Sequence, residues 1–129
     1  MPDREHDHTL TDDVRLIRVL VRPDWITNKG GRERAASFVF LDGLTHEVSC
    51  YIDSVEARDA LRGRYPNMQV AVITVAAAMR SGHVVARDDD GGEGIPGHVV
   101  LVQVDAEQES KDHIRKTKQL AAESTLEPL

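Results

Sequence analysis

The chain has 129 residues, 40% of them hydrophobic, which is the size and apolar content of one ordinary domain. Aromatic residues make up only 4%, so the core has to be built from valine, isoleucine, leucine and alanine. A net charge of −6 sets the long-range field against nucleic acid and anionic membrane, and no apolar run approaches the roughly 20 residues of a membrane span.

A single cysteine, Cys50, excludes an internal disulfide framework and fits a reducing, cytoplasmic compartment. The residues after Met1 are polar and hold no secretory signal segment. The expected organisation is a mobile polar arm over residues 1–13, a single α+β domain over 14–105, and a C-terminal helix with a frayed tail over 106–129. His6 and His8 in the arm are expected to lack fixed partners and so to define no metal site.

The first strand is expected from Arg15 to Val21, with Ile17, Val19 and Val21 on one face and Leu16, Arg18 and Leu20 on the other. Arg18 stands out because apolar neighbours flank it, so its guanidinium needs a carboxylate, carbonyls or an anionic ligand. Arg22-Pro23-Asp24-Trp25 leaves the strand, and the only tryptophan, Trp25, covers the core or stands at a cleft. Asn28 to Arg32 reads as a flexible loop, whose Lys29, Arg32 and Arg34 make a basic tip on an acidic protein. Ala35 to Leu41 reads as a second strand, with Phe38 and Phe40 on one face. Asp42-Gly43 then signals a hairpin returning through Thr45 to Ile52. His46 and Cys50 share a face there but lie roughly 13 Å apart along a strand, too far for a catalytic pair. Cys50 therefore reads as a core thiol.

Asp53-Ser54 caps a helix from Val55 to Arg62 that Gly63 closes, with Val55, Ala57, Ala60 and Leu61 as its apolar stripe. Met68 to Met79 is the most apolar stretch. It reads as a doubly covered strand, Val70 to Ile73, then a short helix, Val75 to Arg80, capped by Thr74 and stopped at Gly82. His83 to Ala86 is a short extended piece. Arg87 to Gly97 is a long acidic, glycine-rich loop whose spacing does not match a calcium loop. His98 to Val104 is the last strand, and His98 at its start is placed where a general base could sit. Asp105 and Gln108 resemble a capping box for a helix from Ala106 to Ala122, and Ser124 to Leu129 is expected to fray. The resulting fold class is α+β: a mainly antiparallel sheet of about five strands, two short helices and a C-terminal helix.

The order Arg22-Pro23-x-Trp25, Phe38, Ser49, Val72 to Val75 and Gly97-His98-Val99-Val100 resembles that of small bacterial proteins of unknown function. That resemblance spans most of residues 14–104 and implies no activity. An early-strand arginine followed by a strand serine, Arg18 and Ser49, also resembles ADP-ribosyl-transferring domains. The glutamate those enzymes need has no matching position: Glu93 sits in a glycine-rich loop and Glu47 shares a face with Ser49.

Two functional readings follow. The first is a small bacterial accessory or regulatory protein, a non-enzymatic module that binds a protein partner or a second copy of itself. The second is a small enzyme or binder of a phosphorylated or nucleotide ligand. Arg18 or Arg22 would hold a phosphate, Trp25 would stack on a base, and Ser49 would line the cleft with His98 as general base. No cofactor or metal motif accompanies either reading. The second requires Arg18, Trp25, Ser49 and His98 to converge on one pocket.

Overall fold

The computed structural model describes residues 5–41, 47–89, 91–103 and 111–129. Eight strands and three α-helices follow in chain order: β1 (Arg15–Leu20), β2 (Ile26–Lys29), β3 (Arg32–Ala35), β4 (Glu47–Ile52), α1 (Val55–Arg64), β5 (Gln69–Thr74), α2 (Val75–Arg80), β6 (His83–Arg87), β7 (His98–Gln103), α3 (Lys111–Glu123) and β8 (Thr125–Pro128). Six strands form one sheet in the order β6-β7-β4-β1-β5-β8, and every neighbouring pair is antiparallel. Strands β2 and β3 form a separate hairpin. This is the expected α+β class, with six strands in the main sheet where about five were expected.

The two-residue period of the strands splits the core into two layers. Leu16, Leu20, Cys50, Ala71 and Ile73 face one way and pack against α2, α3 and residues 35–40. Ile17, Val19, Tyr51, Val70 and Val72 face the other way, under Leu61 of α1 and Ile95. Strand β5 feeds both layers, which is why Val70 to Ile73 is apolar without alternation. Its exit is set by local chemistry. The Thr74 hydroxyl accepts the Ala77 N–H at 3.1 Å and opens α2, and Gly82 turns out of the helix at φ 86°. In α1 the Ser54 hydroxyl does the same for Ala57 at 3.0 Å. Gly63 lies inside that helix rather than closing it, Tyr65 donates to Leu61, and Val55 is exposed, so Ala57 and Leu61 carry the apolar stripe.

Three expectations are corrected. Residues 35–41 do not form a strand beyond Ala35: Val39 N–H bonds to Ala36 O and Leu41 N–H to Phe38 O, so the chain coils in turns. Phe40 is buried and Phe38 exposed instead of sharing a face. The reason is pairing. The hairpin closes at Gly30-Gly31, whose φ values of 63° and 80° suit a two-residue primed turn. Strand β4 meanwhile pairs with β1 and β7, which leaves residues 36–41 no strand to join. Second, Ser124 to Leu129 does not fray, because Thr125–Pro128 pairs with β5 as the sixth strand. Third, Asn28 to Arg32, read as a flexible loop, lie within that hairpin, in which Ile26–Lys29 pairs with Arg32–Ala35. The Asp42-Gly43 turn, His46 and the Asp105–Gln108 capping box lie outside the described residues.

Near the start of the chain, Asp7 N–H bonds to Val85 O at 2.8 Å, the His6 ring accepts the Val85 N–H at 3.0 Å, and Leu10 is buried in the first layer. Among the described residues no helix is long and apolar enough to cross a membrane.

Candidate functional site

The antiparallel register of β4 and β7 places Tyr51 opposite His98 and Ser49 opposite Val100. Partners in register share a face, so Ser49, Tyr51 and His98 lie together on the α1 side of the sheet. Ser49 Oγ and His98 Nε2 are 2.5 Å apart. The other ring nitrogen, Nδ1, is 3.0 Å from the Asp88 carbonyl oxygen and 3.4 Å from Asp88 Oδ2. Two acceptors at Nδ1 favour the proton there. Nε2 is then the acceptor, and Ser49 donates its O–H to it.

Asp88 comes to His98 because the β6–β7 connection folds back over the ring. Asp88 N–H bonds to His98 O at 3.1 Å, and Gly91 N–H bonds to Asp88 O at 3.1 Å. A Cβ on Gly91 or Gly92 would come within 2.8 Å of His98 side-chain atoms, which accounts for the paired glycines. An ion pair between Arg64 and Glu93 ties this loop to the end of α1. His98 is therefore only 5% exposed, whereas Ser49 lies at the surface. The Tyr51 ring completes the wall, its centroid 5.2 Å from that of His98. Burial raises the Tyr51 phenol above its ordinary pKa, keeping it a neutral donor, and the Ser49 hydroxyl opposes that shift. The arrangement is a surface hydroxyl, a covered imidazole that accepts its proton, and an aspartate that holds the imidazole's other edge, which is how a weak oxygen nucleophile is activated.

The remaining predicted residues lie elsewhere. Arg18 pairs in register with Ala71 and so faces the opposite layer. Its Nε donates to Val39 O at 2.6 Å and its Nη1 to Ser49 O at 2.8 Å, and its Cζ stands 4.9 Å from the Trp25 ring centroid. Trp25 packs partly buried against that layer. Arg22 is exposed, with its Nε 3.5 Å from Asp24. The structure thus brings Ser49 to His98 and Arg18 to Trp25, on opposite faces of the sheet. The four do not converge on one pocket, and Arg18 and Ser49 do not line one cleft. Cys50 is fully buried, and burial pushes its thiol up to about 12, so it is not an available nucleophile.

In the sequence Asp88 resembles, with Asp89, Asp90 and Glu93, a metal loop by composition alone, and nothing there marks it as a partner of His98. The signal that could have found it is topological: a loop joining two antiparallel neighbours must return to the start of the second strand, where His98 sits. No protein-family model matches the chain, and no curated protein and no solved structure matches it either.

Proposed function

We propose that the protein is a small enzyme of acyl transfer or ester hydrolysis, with Ser49 as nucleophile, His98 as general base and Asp88 as the residue that orients the imidazole. The observation that carries this reading is the 2.5 Å contact between Ser49 Oγ and His98 Nε2, with Nδ1 held by Asp88. In the first step Ser49 Oγ adds to an electrophilic carbonyl and its proton passes to Nε2. The leaving group departs with that proton. Water, giving a proton to the same nitrogen, then takes the acyl group from Ser49, and the proton passes from Nε2 back to the departing Ser49 Oγ. Acyl chemistry is favoured over phosphoryl transfer because Arg18 lies behind the sheet and Arg64, on the site's side, is engaged by Glu93.

A fluorophosphonate probe, read by intact mass, tests the proposal. Wild type is expected to gain one adduct, and Ser49→Ala and His98→Ala none, with the thermal midpoint of Ser49→Ala close to wild type. Equal labelling of wild type and Ser49→Ala, or none in either, would overturn it.

The protein-binding reading is supported by one observation. Strand β8 is an edge strand of four residues, and an edge strand can take a further strand from a partner or a second copy. Sedimentation at micromolar concentration tests the second-copy form: a dimer supports it, and a strict monomer removes it.

A further inference from the structure

Most of the described cations in this chain are paired. Arg15, Arg58, Arg62, Arg64, Arg87 and Arg115 each meet a carboxylate. Among the described residues, Lys29, Arg32 and Arg34 of the β2–β3 hairpin stand in no ion pair with a carboxylate. Lys29 stands directly opposite Arg32, and Arg34 stands opposite Thr27, so three cations share one face of the hairpin. Like charges opposed across a ladder repel, so this placement is a local cost in a chain with six more acids than bases. Across from the hairpin, α3 contributes Lys118. Between them is a cleft of about 340 Å³ floored by Ala35 and Ala122, where Lys29, Arg34 and Lys118 are joined by Thr27, Asn28 and Ser37. None of its described lining residues is a carboxylate.

We infer that this cleft binds a small oligophosphate. Three cations from two separate elements suit several anionic groups along one ligand rather than a single charge. The arginine fork and the two ammonium points are standard phosphate donors, and Thr27, Asn28 and Ser37 add neutral hydrogen bonds. The volume lies at the small end of ligand pockets. A long nucleic acid is disfavoured by the net charge of −6. The site is independent of Ser49, since Ala35 and the hairpin belong to the opposite layer.

The test is calorimetric titration of the full chain with sodium tripolyphosphate at low ionic strength. Arg34→Gln/Lys118→Gln is the working variant and Lys111→Gln the control. Saturable one-to-one binding is expected, weakened tenfold or more in the double variant and unchanged in the control. Absence of saturable binding would overturn the inference, as would equal affinity in the double variant. A third result would also overturn it: tighter binding to a single-stranded oligonucleotide than to tripolyphosphate, which would mark a polyanion surface.

Discussion

Among the described residues the molecule holds two serine–histidine pairs, one on each side of the sheet, and they differ in exposure and in where the proton sits. On the α1 side, Ser49 Oγ meets His98 Nε2 at 2.5 Å, and the serine is exposed. On the other side, Ser81 Oγ meets His83 Nδ1 at 2.9 Å, with both residues buried beneath the helices. The Ser81 hydroxyl already donates to Ala78 O at 2.8 Å, so its lone pairs face the ring and the imidazole is the donor. The proton runs from serine to histidine in the first pair and from histidine to serine in the second. Proximity is common to both. What separates an activated hydroxyl from a satisfied core contact is which group holds the proton and whether solvent reaches the oxygen.

The sharpest way to break this comparison is to delete each serine. Ser49→Ala is expected to lower fluorophosphonate labelling at least a hundredfold, while Ser81→Ala leaves it at the wild-type level. Loss of labelling in Ser81→Ala with its fold intact would mean that the proton assignment is wrong.

The next effect is on pH stability. Burial, and then the nearby His113 ring at 5.5 Å between centroids, hold His83 down at about 4 from an ordinary 6.5. The folded state keeps His83 neutral while the unfolded chain takes up a proton as pH falls. Stability from this site is therefore complete above about pH 6.5 and is lost between there and about pH 4, by on the order of 3 kcal/mol at most. Urea midpoints between pH 7 and pH 4.5 should fall in wild type and fall much less in His83→Asn. Above pH 4.5 the paired carboxylates still contribute, since Asp53, held below its ordinary value chiefly by the hydrogen bond from Arg58, is ionised throughout. A flat wild-type profile would show that α3 does not seal His83 from water.

Arg18 gives the third effect. On the closed face it serves the protein's own carbonyls, Val39 O and Ser49 O. Arg18→Leu would leave both without that donor and should cost about 2 kcal/mol by chemical denaturation. A residue kept for an external ligand would give almost no change, so an unaltered midpoint would return Arg18 to the list of ligand contacts.

What was legible in the sequence follows the same division between local and distant causes. The Thr74 cap, the Gly82 stop and the Ser54 cap depend on neighbours within a few residues, and all were readable. Ser49 and His98 were readable as candidates because strand parity and position after a glycine-rich loop are local properties too. Their meeting was not, since it needs β4 beside β7 in one register. Arg18 was readable as an anomaly, but its partners, carbonyls 21 and 31 residues away, were not. Residues 35–41 misled because alternating phenylalanines imitate a strand whatever the neighbours do. Strand β8 was invisible because Thr125–Pro128 has no strand pattern of its own and exists by pairing with β5.

That dependence yields the smallest prediction. Glu127 sits on the α1 side, bonded to Arg15 at 2.7 Å and to Arg58 at 2.8 Å, while Asp53 bridges the same two arginines. The network ties β8 and α1 to β1 by charge, whereas the opposite layer is tied by apolar contact. Its members range from 16% exposed at Asp53 to 50% at Arg15, so solvent and salt screen it. Glu127→Gln should therefore cost only about 0.5–1 kcal/mol at low salt, and less at 1 M salt, measured as the shift in urea midpoint. Leu126, packed on the first layer, and Leu129, packed on the second, supply the rest of the anchorage. A loss above about 2 kcal/mol that salt does not reduce would invert that ranking. It would mean that β8 is held by its charges, and that the α1 side closes by electrostatics rather than by burial.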